Sequence, residues 1–132
     1  MCPVCGEPLV TYELDSIEID HCVTCLGTWL DAGELEMIAE RAGVASGAMT
    51  IALNKRREGR PTKRRCPRCR RRLREIDICG TQTVSIDTCP RRHGLWFDRG
   101  EMQAVIRSFA EGEAGEVARF FADLYRSENE AP

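Results

Sequence analysis

Residues 22–34 read Cys-Val-Thr-Cys-Leu-Gly-Thr-Trp-Leu-Asp-Ala-Gly-Glu, and residues 2–5 read Cys-Pro-Val-Cys. The two Cys-x2-Cys pairs are separated by 16 residues. This spacing is typical of structural zinc sites, because two such pairs can bring four thiolates into one tetrahedron and thiolates select Zn²⁺ among the common ions. The competing interpretation is a set of redox pairs or small buried hydrophobic residues. We predict a zinc ion bound by Cys2, Cys5, Cys22 and Cys25.

The pattern occurs a second time in the chain. Gly-x-Trp-x-Asp-x-Gly-Glu runs over residues 27–34 and again over 94–101, and Cys66-Pro-x-Cys69 matches the first Cys-Pro-x-Cys. The upstream offset is three residues shorter, which places a three-residue insertion in the second copy, in a hairpin turn near Gly80. We interpret the chain as two copies of one unit. They are the first unit (1–43) and the second unit (64–110), joined by a linker with a basic end (44–63) and followed by a C-terminal segment (111–132).

The second unit has a changed ligand set. Arg92 stands where the first unit has Cys25, and the next residue is His93, whose imidazole reaches further from the backbone than a thiol. Cys79 is the competing fourth ligand, but we expect it to be a free thiol because it lies in the middle of the hairpin. His21 is expected at the surface or beside the first site, since four cysteines suffice there. The predicted second zinc site consists of Cys66, Cys69, Cys89 and His93.

Both sites are filled by protein ligands, and a closed zinc site is structural rather than catalytic. Units of about 40 residues rarely have a sufficient hydrophobic core, whereas zinc contributes on the order of 10 kcal/mol of folding free energy. The expected cofactor is therefore two structural zinc ions.

Secondary structure follows from periodicity. Residues 9–21 and 73–88 are rich in β-branched residues and predict one hairpin in each unit. Asp31 and Asp98 stand three residues before a glutamate, which is the spacing of a helix capping box. The following residues carry apolar faces, at 35, 38, 39 and 42 in the first unit and at 102, 105, 106 and 109 in the second, and we expect these helices to pack on the hairpins beside the tryptophans. Residues 44–53 suggest a short helix, and residues 117–125 predict an amphipathic C-terminal helix.

The expected fold is a small metal-stabilised α+β fold of two tandem zinc ribbons, each a β-hairpin plus a helix, with an additional C-terminal helix. The quoted residues resemble the bacterial family of transcription factor IIB-type zinc-ribbon domains. Residues 1–38 resemble it closely, and residues 66–102 resemble it as a more diverged copy. The resemblance implies zinc ligands at the seven cysteines of the two sites, and His93 departs from the family's usual fourth Cys. It also suggests a role in transcription.

Charge is unevenly distributed along the chain. Residues 54–74 contain twelve Lys and Arg and one acidic residue, whereas residues 1–53 contain nine acidic residues and one Arg. Basic blocks of this kind attract nucleic-acid phosphates. Two other interpretations stay open: a solvated linker, or a block balanced by the acidic unit, the tail or a partner. The candidate nucleic-acid contacts are Lys55, Arg56, Arg57, Arg60, Lys63, Arg64, Arg65, Arg68, Arg70, Arg71, Arg72 and Arg74.

These features favour a non-enzymatic adaptor whose candidate partners are DNA, RNA, or a machine such as RNA polymerase or the ribosome. The block has no aromatic residue, so we expect binding to phosphates with little reading of bases. The alternative is a scaffold that docks another protein through its metal-binding turns or its C-terminal helix, with Phe120 and Phe121 in contact. No set of residues typical of a hydrolase is present. With no apolar run of the roughly 18 residues that a membrane span needs and no secretory signal, we expect a cytoplasmic protein without a membrane partner.

Overall fold

The computed structural model describes residues 1–14, 16–54, 57–79 and 82–110. Seven strands form one antiparallel sheet in the order β1-β2-β3-β7-β6-β5-β4. The strands are β1 (Val10–Leu14), β2 (Ile17–His21), β3 (Thr28–Asp31), β4 (Arg57–Arg65), β5 (Arg72–Cys79), β6 (Thr83–Thr88) and β7 (Gly94–Phe97). The helices are α1 (Glu34–Arg41), α2 (Ala48–Asn54) and α3 (Glu101–Ala110).

The two units meet at the centre of the sheet, where β3 pairs with β7. Trp29 lies opposite Trp96, Thr28 lies opposite Phe97 and Leu30 lies opposite Leu95. Since the two sequence copies align with one tryptophan on the other, this register is symmetric about the tryptophan pair. The units are therefore related by an approximate two-fold axis within one chain, as are the subunits of an isologous dimer.

The predicted hairpins are present in both units. They are β1 with β2 and β5 with β6, and the predicted extra length of the second copy lies between Cys79 and Thr83, where residues 80–81 are outside the described residues. The segment predicted as a linker contains α2 and the start of β4. β4 is an edge strand, and its pairing with β5 shifts register on both sides of Pro61, which fits the tolerance of edge strands for proline.

The apolar faces predicted for α1 and α3 are buried as expected. They pack in an aliphatic cluster with Leu30, Leu95 and Phe97 from the central strands. The expectation that the helices pack beside the tryptophans is wrong. Trp29 and Trp96 belong to a second cluster, with the metal-site cysteines, because successive residues of a strand point to opposite faces of the sheet.

The capping boxes are half confirmed. The Glu34 carboxylate accepts a hydrogen bond from the Asp31 backbone N–H at 2.6 Å, and Glu101 accepts from the Asp98 N–H at 2.7 Å. The prediction that Asp31 caps α1 with its side chain is wrong. Gly33, with φ +90°, occupies the N-cap and α1 has no side-chain cap.

None of the helices in the described part of the chain is long and apolar enough to span a bilayer. The predicted C-terminal helix with Phe120 and Phe121 lies outside the described residues, as do Lys55 and Arg56.

Candidate metal centres and the charged surface around them

The first centre is assembled from the two turns that flank the β1–β2 hairpin. One ligand atom from each of Cys2, Cys5, Cys22 and Cys25 lies within 4.8 Å of the others. The Cys2 and Cys25 sulfurs are 3.6 Å apart. A zinc ion with Zn–S bonds of about 2.3 Å requires sulfurs about 3.8 Å apart in a tetrahedron. The donor set and its dimensions therefore fit one zinc ion.

The second centre contains His93 and excludes Cys79. Its ligand atoms come from Cys66, Cys69, Cys89 and His93 and also lie within 4.8 Å of one another. The Cys89 sulfur is 3.6 Å from that of Cys69 and 3.4 Å from the His93 Nδ1 atom. Cys79 is an exposed thiol at the end of β5. The predicted Cys3His set thus fits a second zinc ion.

The loop before β7 explains how histidine replaces cysteine. In the first unit, the Leu26 N–H donates to the Cys22 carbonyl and Leu26 has φ +64°. In the second unit, the Arg92 N–H donates to the Cys89 carbonyl and Arg92 has φ +62°, so the left-handed residue comes one position earlier. This tighter turn brings His93, which aligns with Leu26, to the metal site.

Backbone N–H groups prepare the sulfurs for a cation. Burial raises the pKa of a thiol, but backbone N–H groups of Cys25 and Thr24 outweigh it at Cys22 and lower its pKa to about 7. Burial raises the pKa of Cys66 to about 12 and that of Cys25 above its usual range. Thiols packed this closely cannot all ionise unless a cation lies between them. Zinc binding therefore has to displace protons, which makes its affinity fall as the pH falls.

His21 is not among the ligands. Of the two expected positions, the surface or a place beside the first site, the structure shows the second: His21 is buried on β2, directly before Cys22, with Nδ1 3.3 Å from the Thr28 hydroxyl and its ring 5.7 Å from that of Tyr12. Its role is in packing beside the first centre.

The glycines and tryptophans of the repeat fit each other across the two units. A Cβ atom on Gly27 would lie 2.1 Å from the Trp96 ring, and one on Gly94 would lie 2.2 Å from the Leu30 carbonyl and 2.7 Å from the Trp29 ring. Each unit thus uses its glycine to admit the tryptophan of the other. This exchange is not predicted by the motifs of either unit alone, although the Gly-x-Trp spacing that both units share was the available signal.

Arg68 lies in a turn of the second metal site and forms ion pairs with aspartates of the first unit. Its guanidinium donates to both carboxylate oxygens of Asp31 at 2.8–2.9 Å and to Asp20 at 2.8 Å. Burial opposes ionisation of Asp31, but the hydrogen bonds from Arg68 and Trp29 outweigh it and lower its pKa. This contact agrees with the interpretation that part of the basic block is balanced by the acidic unit.

Arg64 has the corresponding contacts in the second unit. Its Nη1 atom donates to Asp87 at 2.8 Å and to Asp98 at 2.8 Å. Asp87 is 8% exposed, and burial raises its pKa despite the arginine. The first unit has no basic counterpart of Arg68, since Val4 occupies the equivalent position. Arg64 and Arg68, which bind the two pairs of aspartates, both belong to the basic block.

The other basic side chains that the structure describes point to solvent or are half-buried. Arg74 is half-buried, and the side chain of Arg57 lies outside the described residues. The exposed ones are Arg60, Lys63, Arg65, Arg70, Arg71 and Arg72. The predicted nucleic-acid contacts therefore divide into two arginines held in ion pairs with aspartates, Arg64 and Arg68, and a larger exposed set.

Comparison with known proteins agrees with this architecture. The family model described as transcription factor zinc-finger, of the transcription factor IIB zinc-ribbon type, matches residues 1–41 and again residues 65–108. No curated protein and no solved structure matches the chain significantly. The two matched regions together cover more than half of the chain and coincide with the two metal centres. The chain belongs to the transcription factor zinc-finger family and carries two tandem copies of its zinc ribbon.

Proposed function

We propose that this protein is a non-enzymatic adaptor that binds nucleic acid, or a machine that carries it, through the exposed cations of β4 and of the turn that holds Cys66 and Cys69. The observation that carries the proposal is the unequal use of the basic block. Arg64 and Arg68 are paired with aspartates, whereas no carboxylate that the structure describes pairs with the other exposed cations of the block, which are available to an external anion.

The metal sites and the repeated residues support a binding role rather than catalysis. Each metal site is filled by four protein ligands, which leaves no position for water or substrate. The repeated Gly, Trp, Asp and Glu residues have structural contacts: glycine admits tryptophan, the Trp29 N–H donates to Asp31 at 2.8 Å, and the Asp31 N–H donates to Glu34. These repeated residues therefore have structural roles in the fold.

The family description suggests which partner to test first. Since the family description names transcription factors, we propose the transcription machinery, with RNA polymerase as its central enzyme, as the first partner to test. The ribosome is the second. Both act on or contain nucleic acid, and a cytoplasmic location is the one that we expect for this protein.

The test is direct binding of the zinc-loaded full chain to labelled single-stranded and double-stranded DNA and RNA, followed by fluorescence anisotropy. We expect affinity to fall steeply between about 50 and 200 mM salt, because bound phosphates release counterions. Arg71→Glu with Arg72→Glu should weaken binding to every probe. Salt-independent binding, or no binding to any of the four probes, would contradict the proposal.

A protein partner is the second candidate, and one observation favours it. Val4 and Val23 stand at the tips of the metal-binding turns of the first unit and are 45% and 66% exposed. The tryptophans cannot serve as the docking surface, since both are fully buried between the units. Affinity purification with and without nuclease separates the candidates. A partner that survives nuclease treatment and is lost on Val23→Asp, but not on Arg71→Glu, would favour the protein.

A further inference from the structure

A groove of about 160 Å³ lies between the metal-binding turns of the two units. Its walls include Pro3 and Gly6 from the first unit, Pro67 and Arg70 from the second, and Lys63 and Arg65 from β4. The volume is well above the roughly 10–15 Å³ that one water needs, so a larger group fits. Cys2 and Cys66, one ligand from each metal centre, also line the groove, so a metal-binding turn forms part of each side.

The groove is lined by cations without carboxylates. Lys63, Arg65 and Arg70 all line it, and none of its lining residues is acidic. A second groove that shares Pro67 as a lining residue contains Asp20 together with Arg68, which are paired. Within the described ranges, the ion pairs of the basic block involve Arg64 and Arg68 and leave these three cations without a carboxylate partner.

The backbone at Arg70 allows this cation to be removed without adding strain. Arg70 has φ +65°, a left-handed conformation that suits glycine, and the equivalent residue of the first unit is Gly6 with φ +73°. A side chain in this conformation costs stability that a glycine would not. The same conformation recurs at Leu26 and Arg92 in other metal-binding turns, so the geometry of the turn sets it.

Arg65 is held in position for the same anion. Its Nη1 atom donates to the Arg70 carbonyl oxygen at 3.1 Å, which fixes the guanidinium against the turn. An arginine has five N–H donors in a planar fork, so most of its donors remain available. A guanidinium that is already positioned loses less entropy when it binds phosphate.

We propose that this groove is the phosphate-binding site of the protein, in which a phosphodiester of the nucleic-acid backbone binds to Lys63, Arg65 and Arg70. This inference rests on the proposed function and narrows it from a diffuse basic surface to one site between the two zinc centres. Two of the groove cations are arginines, whose forked donors suit phosphate oxygens. Arg64 and Arg68 are structural and do not contact the ligand.

The test uses the zinc-loaded full chain and labelled single-stranded RNA and DNA across a salt series. Arg70→Gly removes the groove cation and restores the residue type that suits φ +65°, so its melting temperature should stay the same or rise. We expect its affinity to fall about tenfold or more, with the salt slope reduced by about one. Lys63→Ala should also lower the affinity and the salt slope.

Arg71→Ala is the matched control, because it removes one exposed charge from the neighbouring position outside the groove. We expect its loss of affinity to be several times smaller. Equal losses for Arg70→Gly and Arg71→Ala, or a change in zinc affinity without a change in binding, would overturn the groove while leaving nucleic-acid binding intact. Failure of the wild-type protein to bind these two probes and the double-stranded DNA and RNA probes would overturn both proposals.

Discussion

The two units share the residues that build the fold and differ in the residues that face solvent. Both retain Gly-x-Trp-x-Asp-x-Gly-Glu, and each of those residues contacts the other unit, its own helix turn or an arginine. The first unit binds metal with four cysteines and is acidic. The second uses His93 and carries seven of the twelve cations of the basic block. The duplicated chain thus keeps one interface and assigns different surfaces to its two halves.

The largest expected difference concerns zinc itself. We expect the second centre to lose zinc first to a chelator, because it has three thiolates instead of four and His93 is exposed. Loss of either ion should cost on the order of 10 kcal/mol of folding free energy. A coloured chelator should report two release phases, and His93→Ala should accelerate only the faster one. A single phase that this variant leaves unchanged would contradict the assignment.

Glycine substitutions test the interface that both units share. We expect Gly94→Ala to lower the free energy of unfolding by more than about 3 kcal/mol, because its Cβ would meet backbone at 2.2 Å. Gly27→Ala should lower the free energy of unfolding by somewhat less, since its Cβ would meet the Trp96 side chain and not backbone. Gly33→Ala is the control: nothing lies within 4 Å, and only its φ of +90° opposes the change, at about 1 kcal/mol. Urea unfolding with zinc present measures all three, and a reversed order would contradict the interface.

The two arginines provide the next comparison. Arg64→Ala leaves Asp87 buried without its cation and should cost about 2 kcal/mol. Arg68→Ala removes contacts to Asp31 and Asp20 that are closer to solvent and should cost about 0.5 kcal/mol. Chemical denaturation in low and high salt measures both changes. Equal losses of unfolding free energy, or a larger loss for Arg68→Ala, would show that burial does not determine which ion pair contributes more to stability.

The smallest expected effect is a pH dependence from Glu34. Burial raises its pKa to about 7, above that of a free glutamate. The folded state therefore favours the protonated form, and the stability that this gives is present at low pH and is lost as the pH rises through 7. Glu34→Gln should thus stabilise the zinc-loaded protein more at pH 8 than at pH 6. Thermal unfolding at the two pH values measures the change, and an equal effect of Glu34→Gln at pH 6 and pH 8 would contradict it.

Spacing was sufficient to predict the seven cysteine ligands, because a tetrahedral ion imposes a simple geometry on the chain, whereas the preference for His93 over Cys79 rested on its place in the turn. Periodicity was likewise sufficient for both hairpins and for the buried faces of α1 and α3. In each case the signal is local, and the residues that carry it lie within one unit.

What the sequence did not reveal depends on contacts between distant segments. β4 is highly charged and contains Gly59 and Pro61, so local preference argued against a strand, and pairing with β5 decides its structure. β3 and β7 have four residues each, too few for a clear alternation. The pairing of Arg68 with Asp31 joins positions 37 residues apart and becomes visible only when the units are folded together.

Zinc content measured by native mass spectrometry tests the central claim most directly. We expect two zinc ions per chain in the wild-type protein and in Cys79→Ser, and one firmly held ion in Cys89→Ala. Fewer than two ions in the wild-type protein, disulfides among the ligand cysteines, or loss of an ion in Cys79→Ser would contradict it.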